Sequence, residues 1–144
     1  MTLTLIGGLM KAKTIRNALV LCPVSLLRTW ENEARKVLIT YLGLPSITIS
    51  VISSEMDRHK RAYMLEKAMT CSKKRPHLII STYGLLTSNP SDLAPQKNND
   101  YSSWNYVILD EGHKVRFFNG SIYPHGFSSS FLLQQNFKLC HQKW

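Results

Sequence analysis

Two adjacent carboxylates, Asp110 and Glu111, follow an apolar run at residues 107–109. This pattern suits nucleotide hydrolysis, because one carboxylate can hold Mg²⁺ near the phosphates while the other orients or deprotonates the attacking water. We predict that Asp110 holds the metal and that Glu111 activates the water. His113 is expected to couple the state of the nucleotide to movement of a neighbouring element through a hydrogen bond. The plainer interpretation is a pair of carboxylates that caps a helix N-terminus.

The elements that must position these side chains alternate along the chain. Four strands are predicted, from apolar or alternating runs at residues 18–22, 47–52, 77–81 and 105–109. Helical spacing of apolar residues predicts intervening helices at residues 25–43 and 56–69, a turn or short helix at 82–88 and a surface loop at 89–103. Strands that alternate with helices predict an α/β protein with a doubly wound, mostly parallel sheet.

The first predicted helix carries signals for its start, its core face and its end. Ser25 is the expected N-cap, Trp30 lies in the apolar stripe and is expected in the core, and the helix should end near Gly43.

Active sites of parallel sheets lie at the carboxyl ends of the strands. That rule directs attention to residues 23–25, 81–83 and 110–113.

The composition restricts the class of partner. The 144 residues carry 18 Lys and Arg against nine Asp and Glu, a formal charge of +9, which favours a polyanion. No apolar run approaches the roughly 20 residues that span a bilayer, and no membrane partner is expected. The three cysteines are far apart and form no Cys-x-x-Cys pair, so neither a disulfide framework nor a zinc knuckle is predicted.

Three strings, in order along the chain, carry a resemblance to a known family. They are LVLCPVSLLRTWENE at residues 19–33, IISTYGLL at 79–86 and WNYVILDEGHK at 104–114. They resemble motifs Ia, Ib and II of the Swi/Snf-type ATPases, the DNA translocases of helicase superfamily two. The Gly in the Asp-Glu-Gly-His string is most similar to the Cockayne-syndrome-group-B and mitotic-translocase branches.

The resemblance implies the first lobe of an ATP-driven double-stranded DNA translocase of repair or chromatin remodelling, located in the nucleus. Its fold would be a RecA-like sheet of the P-loop NTPase type. Asp110 and Glu111 would bind Mg²⁺ and ATP, and His113 would link the ATP state to lobe movement. The DNA backbone would be touched or supported by the loops that carry Pro23, Ser25, Thr82 and Tyr83.

The chain also departs from that family. It contains no Gly-x-x-x-x-Gly-Lys-Ser/Thr string, which supplies the phosphate clamp. We therefore expect residues 1–116 to be a partial, incomplete lobe that begins after the P-loop, without motif III or the second lobe, and to be inactive alone. Residues 117–144 hold all five Phe residues and no acid. We expect this tail to be divergent, and either non-homologous to the family or disordered.

Two alternatives from other classes stay open. One is a non-catalytic nucleic-acid-binding module that uses the basic surface, and the other is a metal-dependent hydrolase that uses Asp110, Glu111 and His113 without nucleotide. For one set of basic residues we expect a solvated face in preference to a DNA-binding track. This set is Arg58, Lys60, Arg61, Lys73, Lys74 and Arg75.

Overall fold

A five-stranded parallel sheet forms the centre of the molecule. The computed structural model describes residues 2–88, 93, 96–97, 100–101, 104–110 and 140–142. The strands of this sheet are β1 (Asn17–Cys22), β2 (Thr48–Val51), β3 (His77–Thr82), β6 (Tyr106–Asp110) and β7 (Cys140–Gln142). Their order across the sheet is β2-β3-β1-β6-β7. Two short segments, β4 (Gln96–Lys97) and β5 (Asp100–Tyr101), pair antiparallel within the predicted loop.

Strand β1 lies between β3 and β6 and is buried at every position. Its apolar run is continuous because a parallel sheet is covered on both faces. Leu21 pairs with Ser81 on one side and with Leu109 on the other. This register brings the carboxyl ends of three strands to the same level.

Helices cover both faces of the sheet. Successive side chains of a strand point to opposite faces, and the core accordingly divides into two clusters. One contains Val20 and Ile108 with the helices α1 (Thr2–Lys11) and α2 (Leu27–Ala34). The other contains Leu21 and Val107 with α3 (Arg58–Thr70) and α4 (Tyr83–Ser88). The predicted α/β, doubly wound, mostly parallel sheet of the RecA-like kind is confirmed.

The segment after β1 begins differently from the prediction. A 3₁₀ turn at Val24–Leu26 precedes α2, whose N-cap is Leu26 without a side-chain hydrogen bond. The prediction of Ser25 as N-cap is therefore wrong, because Ser25 lies inside the entry turn. A π-helical segment, Arg35–Tyr41, continues α2, and the chain leaves it at Gly43 with a φ of 63°, close to the predicted end.

Helix α1 packs closely on Leu38 and Leu42 at Gly7. A Cβ at Gly7 would lie 2.7 Å from Leu38 Cδ2 and would overlap Leu42. Since buried side chains pack at near-crystalline density, a larger residue at this position would force these leucine side chains to move. Among the described residues, no helix is long and apolar enough to cross a membrane.

The other boundaries lie close to the predicted ones. Helix α3 begins at Arg58, where Asp57 Oδ2 accepts hydrogen bonds from the amides of His59 at 2.9 Å and Lys60 at 3.2 Å. These bonds, that from Lys60 above all, lower the pKa of Asp57. Strand β6 extends to Asp110, one residue beyond its predicted end, because Asp110 pairs with Gln142.

A pair of asparagines joins the amino ends of the strands. Asn17 is fully buried, its Oδ1 accepts from the Asn105 amide at 2.8 Å and its Nδ2 donates to the Ala68 carbonyl at 3.2 Å. Asn105 Oδ1 accepts in return from the amide of Arg16 at 2.9 Å. Strand β1 is thereby fixed to the chain that enters β6 and to the end of α3.

Acid is expected to destabilise the fold through His77. Burial, followed by the charge of Lys67, lowers the pKa of His77 from 6.5 to about 4, and its Nε2 shares a 2.9 Å hydrogen bond with Ser50. Because the unfolded chain binds this proton more readily, stability is complete above pH 6.5 and is lost as pH falls towards 4. The loss between pH 7 and pH 5 should be about 2 kcal/mol. Urea unfolding at both pH values measures it.

His77→Gln is the control for this pH effect, since glutamine keeps a polar side chain that does not titrate. Its stability should change by less than half as much over the same interval. Parallel curves for the wild type and His77→Gln would assign the pH effect to other groups.

Candidate active site

The carboxyl ends of β1, β3 and β6 meet at one edge of the sheet. Cys22 pairs with Thr82, and Asp110 follows the Leu21–Leu109 pair by one residue on β6. Strands β3 and β6 lie on opposite sides of β1. Ligands of doubly wound sheets bind at the point where the strand order reverses direction in this way. The edge that holds Asp110 is therefore the expected location of a site.

Asp110 is buried, with 2% of its surface exposed, and its side chain is held by Trp30. The Trp30 indole Nε1 donates to Asp110 Oδ2 over 2.7 Å. Trp30 reaches the carboxylate because α2 crosses the face of the sheet towards which Asp110 points. The prediction that Trp30 packs in the core is confirmed, since it is 8% exposed within the first cluster. Its bond to Asp110 was not predicted.

The backbone of Asp110 has its own support from the start of α4, directly after β3. Tyr83, the first residue of α4, donates its hydroxyl to the Asp110 carbonyl oxygen over 2.8 Å. Tyr83 and Asp110 are thus two predicted site residues that the structure brings together. Side chain and main chain of Asp110 are fixed by different elements, α2 and α4.

The second carboxylate oxygen, Asp110 Oδ1, is buried and has no hydrogen-bond partner among the described residues. A buried carboxylate oxygen without a partner costs free energy unless a donor or a cation meets it. A hard cation such as Mg²⁺ takes oxygen ligands and keeps several waters. This oxygen therefore fits the predicted metal role of Asp110. In the part of the chain described, no three His, Cys, Asp or Glu side chains form a metal cluster.

Cys22 lies beside the carboxylate and is chemically quiet. Burial, followed by the negative charge of Asp110, raises the pKa of Cys22 to about 12. Its Sγ donates to the Ser81 carbonyl over 3.7 Å. Because the thiolate is the reactive form, Cys22 serves as a small apolar residue at this edge.

The loops predicted to contact DNA differ in exposure. After β1, Val24 and Ser25 are exposed, and the carbonyl of the half-buried Pro23 accepts from the Leu26 amide at 2.9 Å. Thr82, the last residue of β3, is 4% exposed and its Oγ1 accepts from the Leu85 amide at 3.3 Å, at the start of α4. Only the first loop therefore presents a hydroxyl to solvent, whereas Thr82 braces the second.

Two predicted catalytic residues, Glu111 and His113, lie outside the described residues.

The basic residues lie in different environments in the fold. Arg61 is buried and donates to the carbonyls of Ser54 and Met56, so the prediction of a solvated side chain is wrong there. It anchors the turn before α3, whereas the exposed residues 73–75 lie at the opposite, amino end of β3.

The comparison with known families agrees with this architecture. Residues 1–123 match the model of the SNF2-related domain. This chain belongs to the SNF2-related domain family. The match includes all three strings that suggested Swi/Snf-type ATPases, and that resemblance is confirmed.

Similar proteins of this family include DNA-repair and chromatin-remodelling proteins. The mouse DNA excision repair protein ERCC-6-like is 29% identical over 113 residues, which cover 77% of this chain and 8% of that protein. The rice DNA excision repair protein CSB is 27% identical over 143 residues, covering 83% and 12%. Protein CHROMATIN REMODELING 24 of Arabidopsis thaliana is 26% identical over 117 residues, covering 77% and 10%. The SNF2-related chain thus spans about a tenth of the length of these relatives, and it lies near the Cockayne-syndrome-group-B branch.

Proposed function

We propose that this SNF2-related chain contributes the magnesium carboxylate and a DNA-contacting loop to an ATP-driven DNA translocase of repair or chromatin remodelling. The observation that carries the proposal is Asp110 Oδ1, a buried oxygen without a described partner at the carboxyl edge of the sheet. A nuclear location follows from this function, since its substrate would be chromosomal DNA.

Asp110 would hold Mg²⁺ through Oδ1, while Trp30 keeps Oδ2 occupied. When bound, the metal would neutralise charge on the β- and γ-phosphates of ATP. Glu111 would orient the attacking water and His113 would report the nucleotide state to the second lobe. These two roles rest on the family motif.

Double-stranded DNA would lie against the loop that follows β1. Exposed Ser25 and the neighbouring backbone offer hydrogen bonds to phosphate oxygens without reading base sequence. Pro23 shapes that loop through its carbonyl bond to Leu26. Thr82 and Tyr83 would support the DNA surface from behind, because their hydroxyls bond within the protein.

Binding of duplex DNA to the 144-residue chain should depend on salt and on Ser25. Counterion release predicts a linear fall of log affinity with log salt concentration. Ser25→Glu places a negative charge near a phosphate, which should weaken binding about fivefold, from about 1 kcal/mol of repulsion. Fluorescence anisotropy with a labelled duplex across a salt series measures both effects.

Ser72→Glu is the matched control for this experiment. It makes the same chemical change at an exposed position near the amino end of β3, at the edge of the sheet opposite to Ser25. It should lower the affinity by less than twofold. Equal losses for Ser25→Glu and Ser72→Glu would show that DNA does not use the carboxyl-end loop.

A non-catalytic nucleic-acid-binding module is the second candidate. It is favoured by the lack of a Gly-x-x-x-x-Gly-Lys-Ser/Thr string in the 144 residues, for which reason we propose that the isolated chain hydrolyses ATP negligibly. In this candidate, duplex binding keeps its salt dependence but does not respond to Mg²⁺ and ATP. In the translocase lobe, Asp110 makes the chain responsive to the metal.

A further inference from the structure

We propose that Trp30 is the positioning residue of the magnesium carboxylate. Its indole N–H fixes Oδ2 of Asp110 and thereby leaves Oδ1 as the oxygen presented to the metal. The inference rests on the proposed function, because it takes Asp110 as the magnesium ligand. It assigns a second role to a residue whose sequence pattern predicts core packing alone.

The choice of acceptor distinguishes Trp30 from an ordinary core tryptophan. A buried indole N–H needs a hydrogen-bond partner, and Trp104 meets that need with the Leu93 carbonyl at 2.8 Å. Trp30 instead donates to a carboxylate 80 positions away in sequence, over 2.7 Å. Hydrogen bonds with one ionised member are shorter and stronger than neutral ones. The bond therefore constrains the side chain of Asp110.

The donor is itself rigidly held. Trp30 belongs to the same buried cluster as Ala34 and Leu38, which are both fully buried. Since a packed indole cannot follow a rotating carboxylate, rotation of Asp110 would break the bond. Tyr83 holds the Asp110 carbonyl, so the backbone that bears the side chain is fixed too. Partners that orient a metal ligand in this way typically change metal affinity 10- to 100-fold when removed.

The test is Mn²⁺ binding to the 144-residue chain, with free Mn²⁺ counted by electron paramagnetic resonance. Trp30→Phe keeps an aromatic ring in the core but loses the donor, and it should weaken the Mn²⁺ affinity about tenfold. Trp104→Phe removes an equally buried indole bond that does not touch Asp110, and it should change the affinity less than twofold. Asp110→Asn should remove the site.

The outcomes separate the two proposals. If Asp110→Asn removes Mn²⁺ binding but Trp30→Phe and Trp104→Phe both match the wild type, the positioning role is overturned and the metal role stands. If Asp110→Asn binds Mn²⁺ like the wild type, the metal role of Asp110 fails and the role of Trp30 fails with it.

A measurement on the unmodified side chain covers the case in which Trp30→Phe does not fold. The Trp30 indole ¹H–¹⁵N resonance should shift as Mg²⁺ saturates the wild-type chain and should not respond to Mg²⁺ in Asp110→Asn. The Trp104 resonance should stay unchanged in both proteins. A Trp30 resonance that ignores Mg²⁺ while Asp110 binds Mn²⁺ would overturn the inference.

Discussion

Asp110→Asn is expected to stabilise the metal-free chain by about 1–3 kcal/mol. Asp110 is 2% exposed, and its Oδ1 has no partner among the described residues. Asparagine keeps an oxygen that can accept from the Trp30 indole, while it removes the cost of burying a charge. A residue that destabilises the fold in the absence of its ligand is typical of a functional site.

Urea unfolding without metal measures this gain in stability. Urea unfolding across a Mg²⁺ series shows whether the variant has lost metal binding. Mg²⁺ should stabilise the wild type, because a ligand that binds only the folded state favours it, and should not stabilise Asp110→Asn. Asp57→Asn is the matched control, since Asp57 is an exposed helix cap and asparagine caps equally well. Loss of stability in Asp110→Asn, with Asp57→Asn unchanged, would contradict the account.

Asn17→Ala is expected to cost about 2–4 kcal/mol of stability. Asn17 is fully buried, and its side chain bonds to the Asn105 amide and to the Ala68 carbonyl. Alanine would leave these two groups without their partner near the amino end of the sheet. The bond to the Asn105 amide also joins β1 to the residue that precedes β6, next to the paired Ala18 and Tyr106.

Asn105→Ala is the comparison for Asn17→Ala. Asn105 is half-buried. Its Oδ1 accepts from the backbone amide of the exposed Arg16 at 2.9 Å and from the backbone amide of Asn17 at 3.4 Å. Its loss should therefore cost less than that of Asn17, and the double variant should cost less than the two single losses together, because the residues share partners. Chemical denaturation of the three variants decides this. A cost below about 1 kcal/mol for Asn17→Ala would refute the role of the pair.

The sheet could be predicted because its strands carry local signals. The continuous apolar run of β1 and the polar residues at its end are both visible over six positions, and the structure places that strand at the centre. Helix entry was harder, since a 3₁₀ turn uses much the same residues as a capped helix start. The sequence therefore predicts Ser25 as N-cap, and the 3₁₀ turn overrides that prediction.

The contacts that build the site are not visible in sequence patterns. Trp30 and Arg61 each fit the period of a helix, which gives their side of the helix but not their partners. The partner of Trp30 lies 80 positions away, and Arg61 is buried because the turn before α3 folds its carbonyls onto the guanidinium. The available signal is a tryptophan within the apolar stripe of the helix that follows β1, eight residues after the strand ends at Cys22.

The most direct test of the central claim is the position of bound Mn²⁺, read from paramagnetic broadening of indole resonances. The chain has three tryptophans, and Trp30→Phe assigns the Trp30 signal. Trp30 Nε1 lies 2.7 Å from Asp110 Oδ2, whereas Trp104 precedes β6 and lies six residues before Asp110, about 20 Å along an extended chain at 3.3 Å per residue. Mn²⁺ should broaden the Trp30 signal, spare that of Trp104, and lose its effect in Asp110→Asn. Equal broadening of both signals, or broadening that persists in Asp110→Asn, would contradict a metal site at Asp110.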